Sequence, residues 1–261
     1  MLRIGQIDYA NIYPIYHHLN NHSGIRIVKG VPSFLNHAIR EGGIDVAPCS
    51  SIEYAKSPES YMLIPGISIS CIDKVKSVML YSRFPVEELR DKRIYLTGES
   101  GTSVVLVRIL LREKYGINPE FTRELEDASA KVLIGDKALF EYYNGSHSYI
   151  YDLGTEWHEF TGLPFVFALW TVRKETVQNK WGEIKAFIDD LMKIKADSKK
   201  NLAALLDHYT FKGLTSYQII DYWETIDYNL SDKHIEALLR FYRYAAELGA
   251  IKNVPPLHMI T

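Results

Sequence analysis

Residues 94–116, IYLTGESGTSVVLVRILLREKYG, hold the pattern from which the fold can be read. A short apolar strand at 94–96 meets the small-residue turn Thr97-Gly98-Glu99-Ser100-Gly101-Thr102-Ser103. Val104, Val105, Val107, Leu110 and Leu111 then recur at mainly helical spacing up to Gly116. Such a strand, turn and helix place unpaired backbone N–H groups and hydroxyls at the positive end of a helix dipole, where an anion meets donors without needing a Lys or Arg. The same residues also suit an ordinary N-cap, in which Ser or Thr serves only the helix.

A second junction of this kind stands upstream. Ile44-Asp45-Val46-Ala47 has the character of a short buried strand, followed by Pro48-Cys49-Ser50-Ser51 and then by Ile52-Glu53-Tyr54-Ala55. Before it, a first strand at 4–7 leads through Asp8-Tyr9-Ala10-Asn11-Ile12-Tyr13-Pro14 into a helix running to about residue 20, with Pro14 in its first turn. A strand at 25–31 precedes a helix that Ser33 can cap and Gly42-Gly43 stop. Further strands are expected at 61–70 and 77–82.

Beyond the opening stretch, strands at 119–122 and 131–135 flank a short helix around 127–130. A helix follows Asp136, then come a strand at 149–153 and a helical turn at 155–160. The run LPFVFALWTV at 163–172 is nearly all apolar, as in a central strand buried on both faces. From 176 to 249 the pattern is helical only, with helices at about 177–197, 199–208, 214–227 and 231–248; Ser231 caps the last. Two successive α/β units, joined by strands at 77–82 and 165–172 and closed by helices, predict two lobes with a ligand cleft between them. Lobe 1 comprises 1–81 with 172–261, and lobe 2 comprises 82–171. Ligands in such sheets sit beyond the C-terminal strand ends, which here carry Asn11, Ser50 with Ser51, and Ser100 to Ser103.

Composition narrows the function. The net charge of −2 without a long basic run argues against a nucleic-acid partner, and no segment has the roughly 18 unbroken apolar residues of a membrane span. The opening residues read as a strand rather than a secretory segment, so a cytoplasmic protein is expected. Cys49 and Cys71 make no disulfide framework and fit a reducing compartment. The nine histidines are scattered; His18 and His22 have helical spacing without the Glu of a zinc-protease motif, and no metal site is expected. The turn at 97–103 is neither a P-loop nor a dinucleotide fingerprint, and it lacks the G-x-S-x-G of a nucleophile elbow. Asp45 and Asp136 follow strand-like segments and suit either a base or a turn cap. Trp157 and Trp170 suit either a ring-shaped ligand or core packing.

Several of these motifs together resemble one family. They are Asn11 with Pro14; Gly30-Val31-Pro32 with Leu35-Asn36; Gly43-Ile44-Asp45-Val46-Ala47-Pro48-Cys49-Ser50-Ser51; and Ser77-Val78-x-Leu80. Further along come Ser100-x-Thr102-Ser103; Ile134-Gly135-Asp136-x-Ala138-Leu139; and Tyr151-Asp152-Leu153-Gly154 through Trp157 to Leu163-Pro164-Phe165-Val166-Phe167-Ala168-x-Trp170. In this order, from residue 4 to about 172, the chain resembles the chorismate dehydratases of the futalosine route to menaquinone. The first loop departs from relatives that read Leu-Asn-Thr-x-Pro there.

The resemblance implies an α/β, two-lobed type II periplasmic-binding-protein-like fold with a helical C-terminal region. It also implies a carbon–oxygen hydro-lyase that converts chorismate to 3-[(1-carboxyvinyl)oxy]benzoate and water without a cofactor. By the same resemblance Asn11 and Ser77 would contact the reacting substrate, a small dicarboxylate. Ser100, Thr102 and Ser103 would form its anion-binding turn, with Gly101, Ser50, Ser51 and Asp136 among the substrate-binding positions. Two other readings share the fold: a solute-binding protein holding a small anion without chemistry, and 1,4-dihydroxy-6-naphthoate synthase of the same pathway.

Overall fold

A computed structural model describes residues 1–19 and 24–261 of the protein; His22 and the expected helix end near residue 20 lie outside the described residues. Its strands are β1 (Leu2–Ile7), β2 (Ile25–Gly30), β3 (Val46–Ser50), β4 (Tyr61–Cys71), β5 (Val78–Ser82), β6 (Arg93–Leu96), β7 (Glu120–Thr122), β8 (Ala130–Ile134), β9 (Tyr149–Asp152), β10 (Phe165–Arg173) and β11 (Asp227–Leu230). They form two sheets, one ordered β11-β4-β10-β3-β1-β2 and the other β7-β6-β8-β5-β9. The result is the two-lobed α/β architecture expected.

Strand direction decides what meets what. β1 runs parallel to β2 and β3, and β6 runs parallel to β7 and β8, so in each sheet the parallel strands end on one side. β10 lies antiparallel to β3, and β5 antiparallel to β8, so the first residues of β10 and β5 lie at those same ends. The apolar run sits where its composition predicts, as β10 between β3 and β4. Its ladder with β4 skips from Val166 to Ala168, leaving Phe167 as an extra residue. A bulge of this kind re-aims a side chain, and Phe167 reaches the cleft.

Several expectations need correction. Residues 78–82 belong wholly to the second sheet and 165–173 wholly to the first, so the chain changes sheets at about 72–77 and 153–164, earlier than the 81/82 and 171/172 boundaries. Both strands are mostly buried and mostly apolar, and such a run carries no mark of the sheet that receives it. The C-terminal region also contains a strand: Asp227–Leu230 pairs with β4 at the edge of the first sheet. The strand has only four residues between two helices, too few for a visible period. The expected helix at 177–197 breaks at Lys180 into Lys174–Asn179 and Trp181–Asp197. Residues around 127–130 form a turn and the start of β8 rather than a helix. Ser33 is not a cap, because Pro32 already opens the helix Pro32–Arg40 behind Val31.

The C-terminal helices close the molecule from behind the cleft. Asp232–Glu247 buries Phe241 edge-on to Trp157 and Phe165, and its Tyr242 hydroxyl donates to the Ser51 carbonyl (2.8 Å). Trp157 donates its Nε1 to Pro164 O (2.9 Å), and Trp170 stacks on Tyr16. Both tryptophans are core residues that do not line the cleft.

Candidate active site

The strand ends of the two sheets surround a partly enclosed cavity. The first sheet contributes Ile7, Asn11, Ser50 and Phe167; the second contributes Ser77, Ser100, Ser103 and Gly135; Tyr9 spans the opening. The lining contains hydroxyls, an amide and apolar side chains, with no Lys, Arg, His or carboxylate among the lining residues.

Both hydroxyl junctions cap helices and face the cavity at once. Ser50 accepts from Glu53 N (3.3 Å) at the start of the helix Ser51–Lys56, and Ser100 accepts from Ser103 N (3.2 Å) at the start of Gly101–Ile109. The latter helix widens into a π turn at Leu110–Lys114 before Gly116. Capping consumes lone pairs of the serine oxygens, while the first amides of each helix lack intrahelical acceptors by construction. Asn36, from the neighbouring helix, brackets Ser50: its Nδ2 donates to Ser50 Oγ (3.1 Å) and its Oδ1 accepts from Ser50 N (3.2 Å).

Ser51 and Thr102 have a different place. Both are fully buried, their hydroxyls lie 3.2 Å apart, and Thr102 Oγ1 accepts from Ile52 N (3.2 Å). They join the two helix starts, one from each sheet, without lining the cavity. Gly101 is also outside the lining, although a side chain there would point at Ser50 Oγ, 3.9 Å from its Cβ.

Asn11 and Ser77 do face one another's cavity. Asn11 follows β1 in a short 3-10 turn whose carbonyl accepts from Tyr228 (2.6 Å), while the neighbouring Ala10 carbonyl accepts from Trp223 Nε1 (2.8 Å). The Asn11 Oδ1 atom is buried and has no hydrogen-bond partner, an expensive arrangement that a donor in the cavity would relieve.

Ser77 opens β5 at the end of a tight turn. Asp152 holds that turn by accepting from Val75 N (3.0 Å) and Lys76 N (2.6 Å). Lys76 is, among the described residues, the one non-glycine in the left-handed region (φ 58°), and its buried ammonium pairs with Asp221 from the helix Ser216–Thr225. The next residue of that helix, Tyr222, donates to Ser77 Oγ (2.8 Å).

The two aspartates separate. Asp45 lies at the opposite end of its strand, bound to Arg3 N (2.8 Å), to the Arg3 guanidinium (2.8 and 3.0 Å) and near Lys180 (3.5 Å). Burial pushes its pKa up, but the Arg3 hydrogen bonds and the two cations outweigh burial and hold it at about 2. Asp136, directly after the cavity residue Gly135, accepts from Ala10 N (2.8 Å) across the cleft. Burial raises it to about 6 against that hydrogen bond, with the Asp8 charge adding to the rise.

Of the residues singled out from the sequence, Asn11, Ser50, Ser77, Ser100 and Ser103 line the cavity and Ser51, Gly101, Thr102 and Asp136 do not, while Tyr222, Asp221 and the bridging role of Tyr9 were missed. Tyr222 occupies the apolar face of an amphipathic helix, where it has the pattern of any core tyrosine. Among the described residues, no group of three or more His, Cys, Asp or Glu is arranged to hold a metal ion.

The chain was compared with known proteins. The family model described as menaquinone biosynthesis matches residues 2–247. A chorismate dehydratase of Campylobacter jejuni is 31% identical over 253 residues, covering 94% of this chain and 98% of that one. A chorismate dehydratase of Thermus thermophilus is 35% identical over 193 residues, covering 66% and 70%. Among solved structures, a protein from Archaeoglobus fulgidus superposes with a TM-score of 0.73 at 18% identity, covering 96% of this chain and 98% of that one. The ligand-binding component of an ABC-type import system from Staphylococcus aureus gives 0.68 at 14% identity, covering 97% and 93%. At such identities these two structures speak for the fold alone.

Proposed function

The chain belongs to the menaquinone-biosynthesis family, and from that premise we propose that it is a chorismate dehydratase, a hydro-lyase forming 3-[(1-carboxyvinyl)oxy]benzoate and water. We place the reaction in the futalosine route and in the cytoplasm, a reading that the free, buried Cys49 and Cys71 support. Among the described residues no helix is long and apolar enough to cross a membrane.

The observation that carries the chemistry is the cavity wall: Asn11 with an unpartnered buried oxygen, and the hydroxyl-bearing Ser77, Ser50, Ser100 and Ser103. Chorismate carries two carboxylates and a ring hydroxyl. Hydroxyls at the starts of two helices suit the carboxylates without making the cleft basic. The ring hydroxyl is a donor of the kind that Asn11 Oδ1 lacks.

Loss of water aromatises the ring, so the enzyme has to fix geometry and stabilise developing charge rather than drive the equilibrium. The proton leaves the ether-bearing ring carbon, its electron pair moves into the ring, and the neighbouring hydroxyl departs with its bonding pair. Donors set in advance where negative charge grows lower this barrier. With no carboxylate, His or Lys in the lining, the substrate's own enolpyruvyl carboxylate takes the proton and passes it to the departing hydroxyl, which leaves as water, while Asn11 and Ser77 orient the ring and the leaving hydroxyl.

The test is purified protein mixed with chorismate and followed by absorbance and mass. A product lighter by one water, with the spectrum of a substituted benzoate, is the expected result. Chorismate recovered unaltered, together with ligand protection against thermal unfolding, would make the protein a binder of the same fold.

A further inference from the structure

The Tyr222 hydroxyl is fully buried, and among the described residues its one hydrogen-bond partner is Ser77 Oγ at 2.8 Å. A buried phenol without an acceptor is costly, so its single proton belongs on the line to Ser77. That leaves the Ser77 proton to be placed. Ser77 Oγ has no second protein partner among the described residues, and the open side of this buried serine is the cavity.

Building on the chorismate dehydratase reading, we infer that Tyr222 is a positioning residue: it fixes Ser77 as a hydrogen-bond donor aimed into the cavity, toward the substrate oxygen that gains negative charge. Tyr222 holds Ser77's oxygen from behind, so the serine proton has one direction left. Donation from Tyr222 also polarises the Ser77 O–H and strengthens what it gives to the substrate.

The helix is built to hold this geometry. Three consecutive residues bind the two catalytic loops: Asp221 pairs with Lys76, Tyr222 donates to Ser77, and Trp223 donates to Ala10 O (2.8 Å) beside Asn11. Ser77 and Asn11, from different sheets, are therefore referenced to one rigid element. Burial raises the Tyr222 phenol far above its ordinary pKa, so it remains a donor at working pH and cannot draw the proton from Ser77. Nothing here activates Ser77 as a nucleophile or base.

Four proteins test the inference with chorismate: wild type, Tyr222→Phe, Ser77→Ala and the double variant. Tyr222→Phe keeps the ring and is expected to lower kcat about tenfold with KM within about twofold, the effect of losing one oriented donor. In the Ser77→Ala background the same change is expected to alter kcat by less than about twofold, because Ser77 is what Tyr222 acts through. An equal fall in both backgrounds would reduce Tyr222 to a structural role, and an unchanged kcat in Tyr222→Phe would remove it altogether. Should Tyr222→Phe alone not fold, Ser77→Ala against the double variant, which leaves neither hydroxyl unpaired, decides the matter: equal kcat is expected, and a further fall overturns the inference. A wild-type protein inert toward chorismate overturns the functional reading and this inference with it. An active wild type with an indifferent Tyr222→Phe overturns the inference alone.

Discussion

The Tyr9 hydroxyl donates to Glu99 Oε2 at 2.5 Å, tying the loop after the first strand of one sheet to the turn after β6 of the other. The other Glu99 oxygen takes Lys137 Nζ (2.8 Å), and Ser33 N donates to Glu99 O (3.1 Å), so three elements meet on one residue. Burial opposes ionisation of Glu99, yet the Lys137 and Tyr9 hydrogen bonds together keep its pKa below the ordinary value, so the clasp is charged at neutral pH.

Tyr9→Phe keeps the ring over the cleft and removes this bond. For a half-exposed contact the loss is about 1 kcal/mol, which loosens the tie between the two sheets and raises KM for chorismate roughly fivefold with kcat little changed. Steady-state kinetics checks it; an unchanged KM would mean that this tie does not shape the substrate site.

Gly135 lies under the same ring. It has φ +60°, and a Cβ built there would fall 2.6 Å from the Tyr9 ring carbons Cε2 and Cζ. Gly135→Ala therefore combines a left-handed backbone penalty of roughly 1–2 kcal/mol with displacement of Tyr9. A fall in Tm of roughly 3–6 °C is expected, together with a KM increase at least as large as that of Tyr9→Phe. Adding Tyr9→Ala should recover part of the stability, which calorimetry would read, because the steric half of the penalty is then gone.

How much of this was legible beforehand follows from the range of each signal. The two hydroxyl junctions are local, written in consecutive residues, and both lie where the strand ends put them. Ser51 and Thr102 carry the same local signature as Ser50 and Ser103, yet they bond to each other between the two sheets; the difference is a helical rotation that only the packed helices reveal. Asp45 and Asp136 looked alike as residues beside strands, but one begins its strand and the other follows its strand, so one meets Arg3 and the other the cleft. Tyr222 lies 145 residues from Ser77 and was beyond any spacing argument.

Removing the Ser77 hydroxyl is expected to cost what an oxyanion-type donor usually contributes. Ser77→Ala should raise the barrier by about 2.7–4 kcal/mol, or roughly 10²–10³ in kcat. Single-turnover kinetics with saturating chorismate would measure it. Unchanged turnover would take Ser77 out of the mechanism.

Asp45 makes a prediction about acid stability that is separate from catalysis. Its folded pKa of about 2 lies below the ordinary 3.8, so its contribution is fully present above about pH 4 and disappears as pH falls toward 2. The carboxylate is almost wholly buried, and the shift corresponds to about 2 kcal/mol. Asp45→Asn should lose about that much at pH 7 while differing little from wild type near pH 2, as urea titrations at the two pH values would show. It should also retain turnover, since Asp45 is remote from the cavity.

Asp136 carries the opposite sign. Its folded pKa of about 6 lies above 3.8, so between these values the folded chain binds more protons than the unfolded chain, and stability falls as pH rises through that window. Above about pH 7 a penalty of about 3 kcal/mol is fully developed. Asp136→Asn, whose amide oxygen can still accept from Ala10 N, should therefore be more stable than wild type at pH 8 and nearly equal to it at pH 4. The same variant tests the identity of the base. With the substrate's own carboxylate taking the proton, turnover should fall by no more than about tenfold, the scale of one perturbed hydrogen bond. A loss of about a thousandfold with chorismate binding intact would instead make Asp136 the proton acceptor, for which a carboxyl group poised near pH 6 would be well matched.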